Sequence, residues 1–252
     1  MEENKVKDLY GKLFDACSVY DTFANEAHFV AMKGSKYDSN PCKVMIVGRA
    51  TNSWEHLDAT SKEAFMAAAE AQFGNESRWD WIEVINGAQY CSDQNNIANL
   101  KERYCVSQKA FWSYSKEIWT RLTQNNDTGK LWQENIVWSN LYKYSPAAGY
   151  NPDDQCAKIQ QNACIEILKH ELDVFQPDYV LLITGYDWFE SFAPIFEDVQ
   201  DKGERNICRG KNKNEIFVEG TATYNKTKVV IACRPELRDK VKYVDAVVNA
   251  FN

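Results

Sequence analysis

The chain has 252 residues, 44% of them hydrophobic, a formal charge of −7 and a pI near 5.2. That is enough apolar material for one large core, and no stretch demands a second domain, so residues 1–252 read as a single domain. The acidic balance excludes a protein that coats nucleic acid by bulk electrostatics, although it leaves room for a local basic rim. In chain order, Val6, Leu9, Tyr10, Leu13, Phe14 and Cys17 recur at helical spacing and predict a helix from residue 3 to about 30. Asp38 to Pro41 is a turn into the first apolar run, Val44 to Val47. Thr60 and Glu63 then form a capping box for an alanine-rich helix to about Phe73. Residues 74–105 are polar, aromatic and irregular. Helical spacing returns from Ser107 to Leu122, and a second apolar run follows at Ile136 to Trp138. Asn151 with Pro152 opens a helix that continues to about Phe175, and a third run is Val180 to Ile183. A short helix is predicted from Tyr186 to Phe196. Residues 203–227 read as a polar hairpin or long loop whose only clear strand is Ile216 to Val218. The fourth run, Val229 to Ala232, precedes a last helix from about Pro235 to Phe251.

Each of the four runs ends on a polar residue or a glycine, and helical patterns separate them. They read as parallel strands buried between helices. Ligands of open α/β sheets bind outside the carboxyl ends of the strands. Gly48, Arg49, Ala50, Thr51 and Asn52, together with Asn140, Thr184 and Arg234, are therefore expected to face one cleft. Asn140 is the leading candidate for binding, because an amide offers one acceptor and two donors and matches a pyrimidine edge bidentately. Capping the following turn is its structural alternative.

Other chemistries fit poorly. The Gly48 loop lacks the glycine spacing of dinucleotide and P-loop sites, and no G-x-S-x-G elbow is present. The eight cysteines contain no C-x-x-C pair and read as reduced packing residues of a cytoplasmic protein. The histidines at 28, 56 and 170 pair with no second ligand at i+3 or i+4, so neither a metal nor another cofactor is expected. No apolar run approaches a membrane span. A basic rim is offered by Arg205 to Lys213, or by Arg234, Arg238, Lys240 and Lys242.

Four blocks, Lys43 to Trp54 (KVMIVGRATNSW), Ser139 to Asp154 (SNLYKYSPAAGYNPDD), Leu172 to Trp188 (LDVFQPDYVLLITGYDW) and Val229 to Leu237 (VVIACRPEL), occur in an order that resembles the uracil-DNA glycosylase superfamily. The middle two look most like its iron–sulfur branch. The resemblance implies a three-layer α/β/α fold with a central, mainly parallel four-stranded sheet. It also implies hydrolysis of the N-glycosidic bond of uracil or a damaged base in DNA. Gly48 matches the family's glycine and Asn140 its base-reading asparagine. Arg49, Ala50 and Thr51 replace the positions that carry an acidic or amide residue and a proline, and Arg234 stands where a histidine stabilises the departing base anion. Tyr144 stands at a cluster-ligand position and no iron–sulfur cluster is expected. Arg234 would take over anion stabilisation, and Asn52 or Glu55 would hold the water. Trp54, Phe65, Phe73 and Trp79 are the candidates to stack on the base.

Three readings follow. The first is a DNA glycosylase. The second is a binding protein for a base, nucleotide or nucleic acid on the same scaffold. The third is a different hydrolase or transferase that holds an anionic substrate between Arg49 and Arg234. Both guanidiniums turned into the cleft favour the third reading, and Arg49 turned to solvent favours the first two.

Overall fold

The computed structural model describes residues 3–20, 23, 27–51, 57–75, 109–124, 132–145, 151–203 and 215–252. The four apolar runs lie in its central strands: β3 (Val44–Gly48), β4 (Ile136–Asn140), β6 (Tyr179–Ile183) and β9 (Thr227–Ala232). They lie in the order β4-β3-β6-β9, and every neighbouring pair is parallel. Gly48 pairs with Asn140 and Ile183 with Ala232, so the strands end nearly level. The carboxyl ends of the four runs thus share one edge of the sheet, as the sequence predicts.

The sheet is larger than the four strands expected. It has seven strands and is mixed: β2 (Met32–Lys33) pairs antiparallel with β4, and β8 (Val218–Tyr224) and β7 (Glu197–Asp201) extend it antiparallel beyond β9. The reason is visible in the residues. The β7 segment, Glu-Asp-Val-Gln-Asp, is a mostly exposed edge strand with no apolar pattern. In β8, Gly220 and the threonines hide a buried strand inside what reads as a polar loop. A further pair, β1 (Ala27–His28) with β5 (Tyr144–Ser145), forms a separate two-stranded ribbon.

Period-two alternation divides the core between the two faces. Met45, Val47, Val137, Leu182 and Ile231 join a cluster with residues of helices α1 (Glu3–Cys17), α2 (Lys62–Gln72) and α4 (Asp154–Phe175). Val44, Ile46, Trp138, Leu181 and Val230 join the other with α3 (Ala110–Thr123) and α6 (Lys240–Phe251). Helices thus cover both faces.

Several boundaries move from their predicted places. Helix α1 stops at Cys17 instead of near residue 30, and the chain beyond it supplies β1 and β2. Ser61, not Thr60, caps α2, accepting from Ala64 N at 3.1 Å, while the Thr60 hydroxyl donates to Asp58 at 2.7 Å. Asp153, not Asn151, caps α4 through Cys156 N. The segment from 186 to 195 is one short helix, α5 (Tyr186–Phe189), followed by a 3-10 turn, and α6 begins only at Lys240 behind an Asp239 cap. Ser61→Ala is expected to lower stability by about 1 kcal/mol in urea denaturation, whereas Thr60→Ala leaves α2 capped.

Candidate functional site

At the carboxyl edge of the sheet the chain leaves β3 at Gly48 and β4 at Asn140. The ladder continues one step further, with Leu141 N donating to Gly48 O and Tyr142 N to Arg49 O, both at 2.9 Å. This places Asn140 against Gly48. A Cβ on Gly48 would lie 2.3 Å from Asn140 Oδ1 and 3.6 Å from Phe111 Cε2. Only glycine admits that approach of amide and backbone. Asn140 is 2% exposed, and its Nδ2 has no hydrogen-bond partner among the described residues. A buried amide donor left unsatisfied is costly, and here nothing structural uses it. Half-buried Phe111, near the start of α3, brings ring atom Cε2 to the same spot.

Arg49 turns inward along the edge. Its Nε donates to Thr184 O at 2.5 Å, and its guanidinium lies 5.1 Å from the ring centre of Trp188. Burial, and then the charge of Arg234, push its pKa down to about 10. The Thr184 side chain is itself fully buried and donates to Gly185 O at 3.0 Å, so Thr184 meets Arg49 through its carbonyl. Gly185 turns at φ 78, and a Cβ there would sit 3.3 Å from both Arg49 Nη2 and Glu219 Oε2.

Arg234 behaves differently. Its guanidinium is 44% exposed and forms a bidentate pair with Glu236, donating from Nε at 3.0 and 3.1 Å and from Nη2 in a further short contact. Burial raises the Glu236 carboxyl, but the hydrogen bonds and charge of Arg234 outweigh it and hold the group below its usual range. Arg49 is therefore directed into the edge and Arg234 toward its rim, an outcome split between the two arrangements the sequence separates. Thr51 is buried and Ala50 half-buried beside them. Asn52, Glu55, Trp54, Trp79 and the basic stretch from Arg205 to Lys213 lie outside the described residues.

The stacking candidates resolve unevenly. Phe65 is fully buried in the core beside Tyr10, Phe14 and Phe23, and Phe73 stacks on His170 and Phe175 away from the strand ends. Phe111 is the aromatic at the site. It falls in the stretch of helical spacing from Ser107 to Leu122, and periodicity contains no signal that it sits over Gly48.

Among the described residues Cys17, Cys156, Cys164 and Cys233 are buried and Cys42 half-buried. Burial pushes the Cys164 thiol up to about 12 and Cys42 to about 11, which keeps both in the unreactive form. Among the described residues no group of histidine, cysteine and carboxylate side chains is placed to hold a metal ion, and no described helix is long and apolar enough to cross a membrane. No protein-family model matches this chain, and a search of curated proteins finds no match.

Proposed function

We propose that the protein is a uracil-DNA glycosylase-like enzyme, hydrolysing the N-glycosidic bond of uracil or another damaged base drawn out of DNA. The single observation that carries this reading is the buried Asn140 amide. Its donor is unpartnered among the described residues and lies against Gly48 and beside Phe111. Enzymes that act on an extruded base read its Watson–Crick edge with hydrogen bonds and its face with an aromatic side chain. An amide and a ring at one strand end supply both. The parallel order β4-β3-β6-β9, with helices on both faces, suits the three-layer fold that the sequence blocks resemble. In this reading Arg49, directed into the edge, makes the positive side of the site toward the departing base anion, and Arg234 adds charge from the rim.

The rim after β9 adds support. Leu237 is 98% exposed and held at φ 63, a conformation leucine rarely adopts. It stands between Arg234 and Arg238, with Lys240 and Lys242 following. An apolar side chain projecting from a basic rim suits a wedge that unstacks bases while cations meet the phosphates. Leu237→Ala is expected to slow excision from duplex DNA by roughly tenfold and to leave single-stranded substrate nearly unaffected, because only the duplex has a stack to open. Equal loss on both substrates overturns the wedge.

The reading is tested by single-turnover excision on uracil-containing single- and double-stranded oligonucleotides and a panel of damaged bases, with enzyme in excess. Product above a heat-inactivated control supports it. One observation favours a second reading, a protein that binds a base or nucleotide without cleaving it: Arg234 is engaged by Glu236, and the described loop residues after Gly48 (Arg49, Ala50 and Thr51) include no carboxylate. Retained binding with no product on any substrate decides for that reading.

A further inference from the structure

The residues that directly follow β3 (Arg49, Ala50 and Thr51) include no carboxylate, and Asp58 further along is exposed and bonded to Thr60, yet the fold brings a carboxylate to the same edge from a different strand. Along β8, Val218 pairs with Ala232 and Gly220 with Ile231, so two steps on β8 match one step on β9 and Glu219 is the extra residue of a β-bulge. A bulge breaks the in–out alternation and re-aims a side chain, and such bulges are over-represented beside active sites. Here Val218, Glu219 and Gly220 are buried in succession, and alternation resumes only at Thr221. The redirected Glu219 carboxylate crosses to the carboxyl end of β6, where Oε2 accepts from Tyr186 N at 2.7 Å. Glu219 is 5% exposed, and Oε1 has no hydrogen-bond partner among the described residues. The carboxylate and the Arg49 guanidinium converge on Gly185, where an added Cβ would lie 3.3 Å from Arg49 Nη2 and from Glu219 Oε2.

We infer that Glu219 is the water-activating carboxylate of this site, an inference that rests on the glycosylase reading. One oxygen is fixed by a backbone donor, which sets the orientation of the group. The other is left to accept a hydrogen bond from water, and a carboxylate held in a largely dry edge is a competent general base. In the step, the water oxygen bonds to C1′ of the sugar while the C1′–N bond breaks. The water's proton passes to Glu219 Oε1, and the electron pair of the broken bond leaves on the base, which is then protonated from solvent. The charged and titratable groups that interact with Glu219 are Arg49 from the β3 end and Tyr243 on α6, with Tyr186 donating its backbone N–H, while Arg234, Glu236 and Asp187 in turn act on Arg49.

The experiment compares the full wild-type chain with Glu219→Gln in single-turnover excision at one fixed pH near neutrality. Glutamine keeps the carbonyl acceptor for Tyr186 N and removes only the base. The expected result is a loss of about 100-fold or more in rate, with oligonucleotide binding by fluorescence anisotropy unchanged. A Glu219→Gln chain that folds and keeps the wild-type rate overturns the inference and leaves the glycosylase reading standing. Glu219→Asp, which keeps the charge but draws the carboxylate back by one methylene, is the second variant, and an unchanged rate there overturns the inference in the same way. A wild-type chain with no activity on any substrate overturns both.

Discussion

Lys143→Met is expected to destabilise the protein by about 3–5 kcal/mol, the cost of leaving a buried carboxylate without its partner. Lys143 Nζ donates to Ser139 Oγ at 2.6 Å, Asn140 O at 2.7 Å and Glu171 Oε1 at 2.7 Å. Ser139 Oγ closes the ring by donating to Glu171 Oε2 at 2.6 Å. Neither Lys143 nor Glu171 exposes any side-chain surface. Every donor of the ammonium and both carboxylate oxygens are used, so the desolvation of two charges is offset only while the set is complete. Replacing Glu171 as well, in Lys143→Met/Glu171→Leu, is expected to recover much of the loss, because an apolar pair of similar volume replaces a buried ion pair at little net cost. Recovery stays partial, since Ser139 Oγ and Asn140 O lose the ammonium. Urea denaturation of the two single variants and the double variant measures the coupling. Burial raises the Glu171 carboxyl, with the charge and hydrogen bond of Lys143 and the Ser139 hydroxyl opposing it. A raised folded pKa means that folding takes up a proton there. The corresponding stability is fully present below the unfolded glutamate value and is lost as pH rises through the folded one. Glu171→Gln removes that dependence. A Lys143→Met chain as stable as the wild type would show that the pair is not sequestered.

How far the sequence reaches depends on the range of the interaction that decides each feature. The four parallel strands were legible because each is buried along most of its length, and a strand covered on both faces shows an unbroken apolar run. Gly48, Arg49, Asn140 and Thr184 were legible as a group for the same reason, since the topology of parallel strands carries their ends to one edge. Strands β7 and β8 were not, because an exposed acidic edge and a glycine- and threonine-bearing strand have no run to detect. Caps failed by one or two positions where hydroxyl or acidic residues stand close together, as at Thr60/Ser61 and Asn151/Asp153. Only the hydrogen bond that each makes decides between them. Glu219 lay hidden for a deeper reason: a bulge depends on register against β9, and register is a property of two strands. Glu171 was hidden likewise, because an acid on a long amphipathic helix reads as a solvated face until the buried Lys143 opposite it is known. The direction of Arg234, into the edge or onto Glu236, is a matter of side-chain pairing that spacing does not encode.

Asn140→Ala is expected to lower single-turnover excision by about 100- to 1,000-fold, the range found when one preorganised donor at a developing anion is removed. The Asn140 backbone carbonyl accepts from Lys143, but the side-chain Nδ2 has no partner among the described residues. Truncation to alanine therefore leaves the Ser139–Lys143–Glu171 set and the strand pairing with Gly48 intact, and the melting temperature should stay close to that of the wild type. A large loss of rate with an unchanged melt separates a recognition role from a turn cap, because a cap would lose both together. Gly48→Ala supplies an independent route to the same outcome. The added methyl would fall 2.3 Å from Asn140 Oδ1, so the amide must swing away from its present place while remaining in the chain. Both variants are expected to retain salt-dependent binding to the DNA backbone, since the cations of the rim are untouched, and to lose discrimination for the damaged base over its normal counterpart. If Asn140→Ala excises and discriminates as the wild type does, Asn140 is not the base-reading group, and the pocket must be sought away from the junction of β3 and β4.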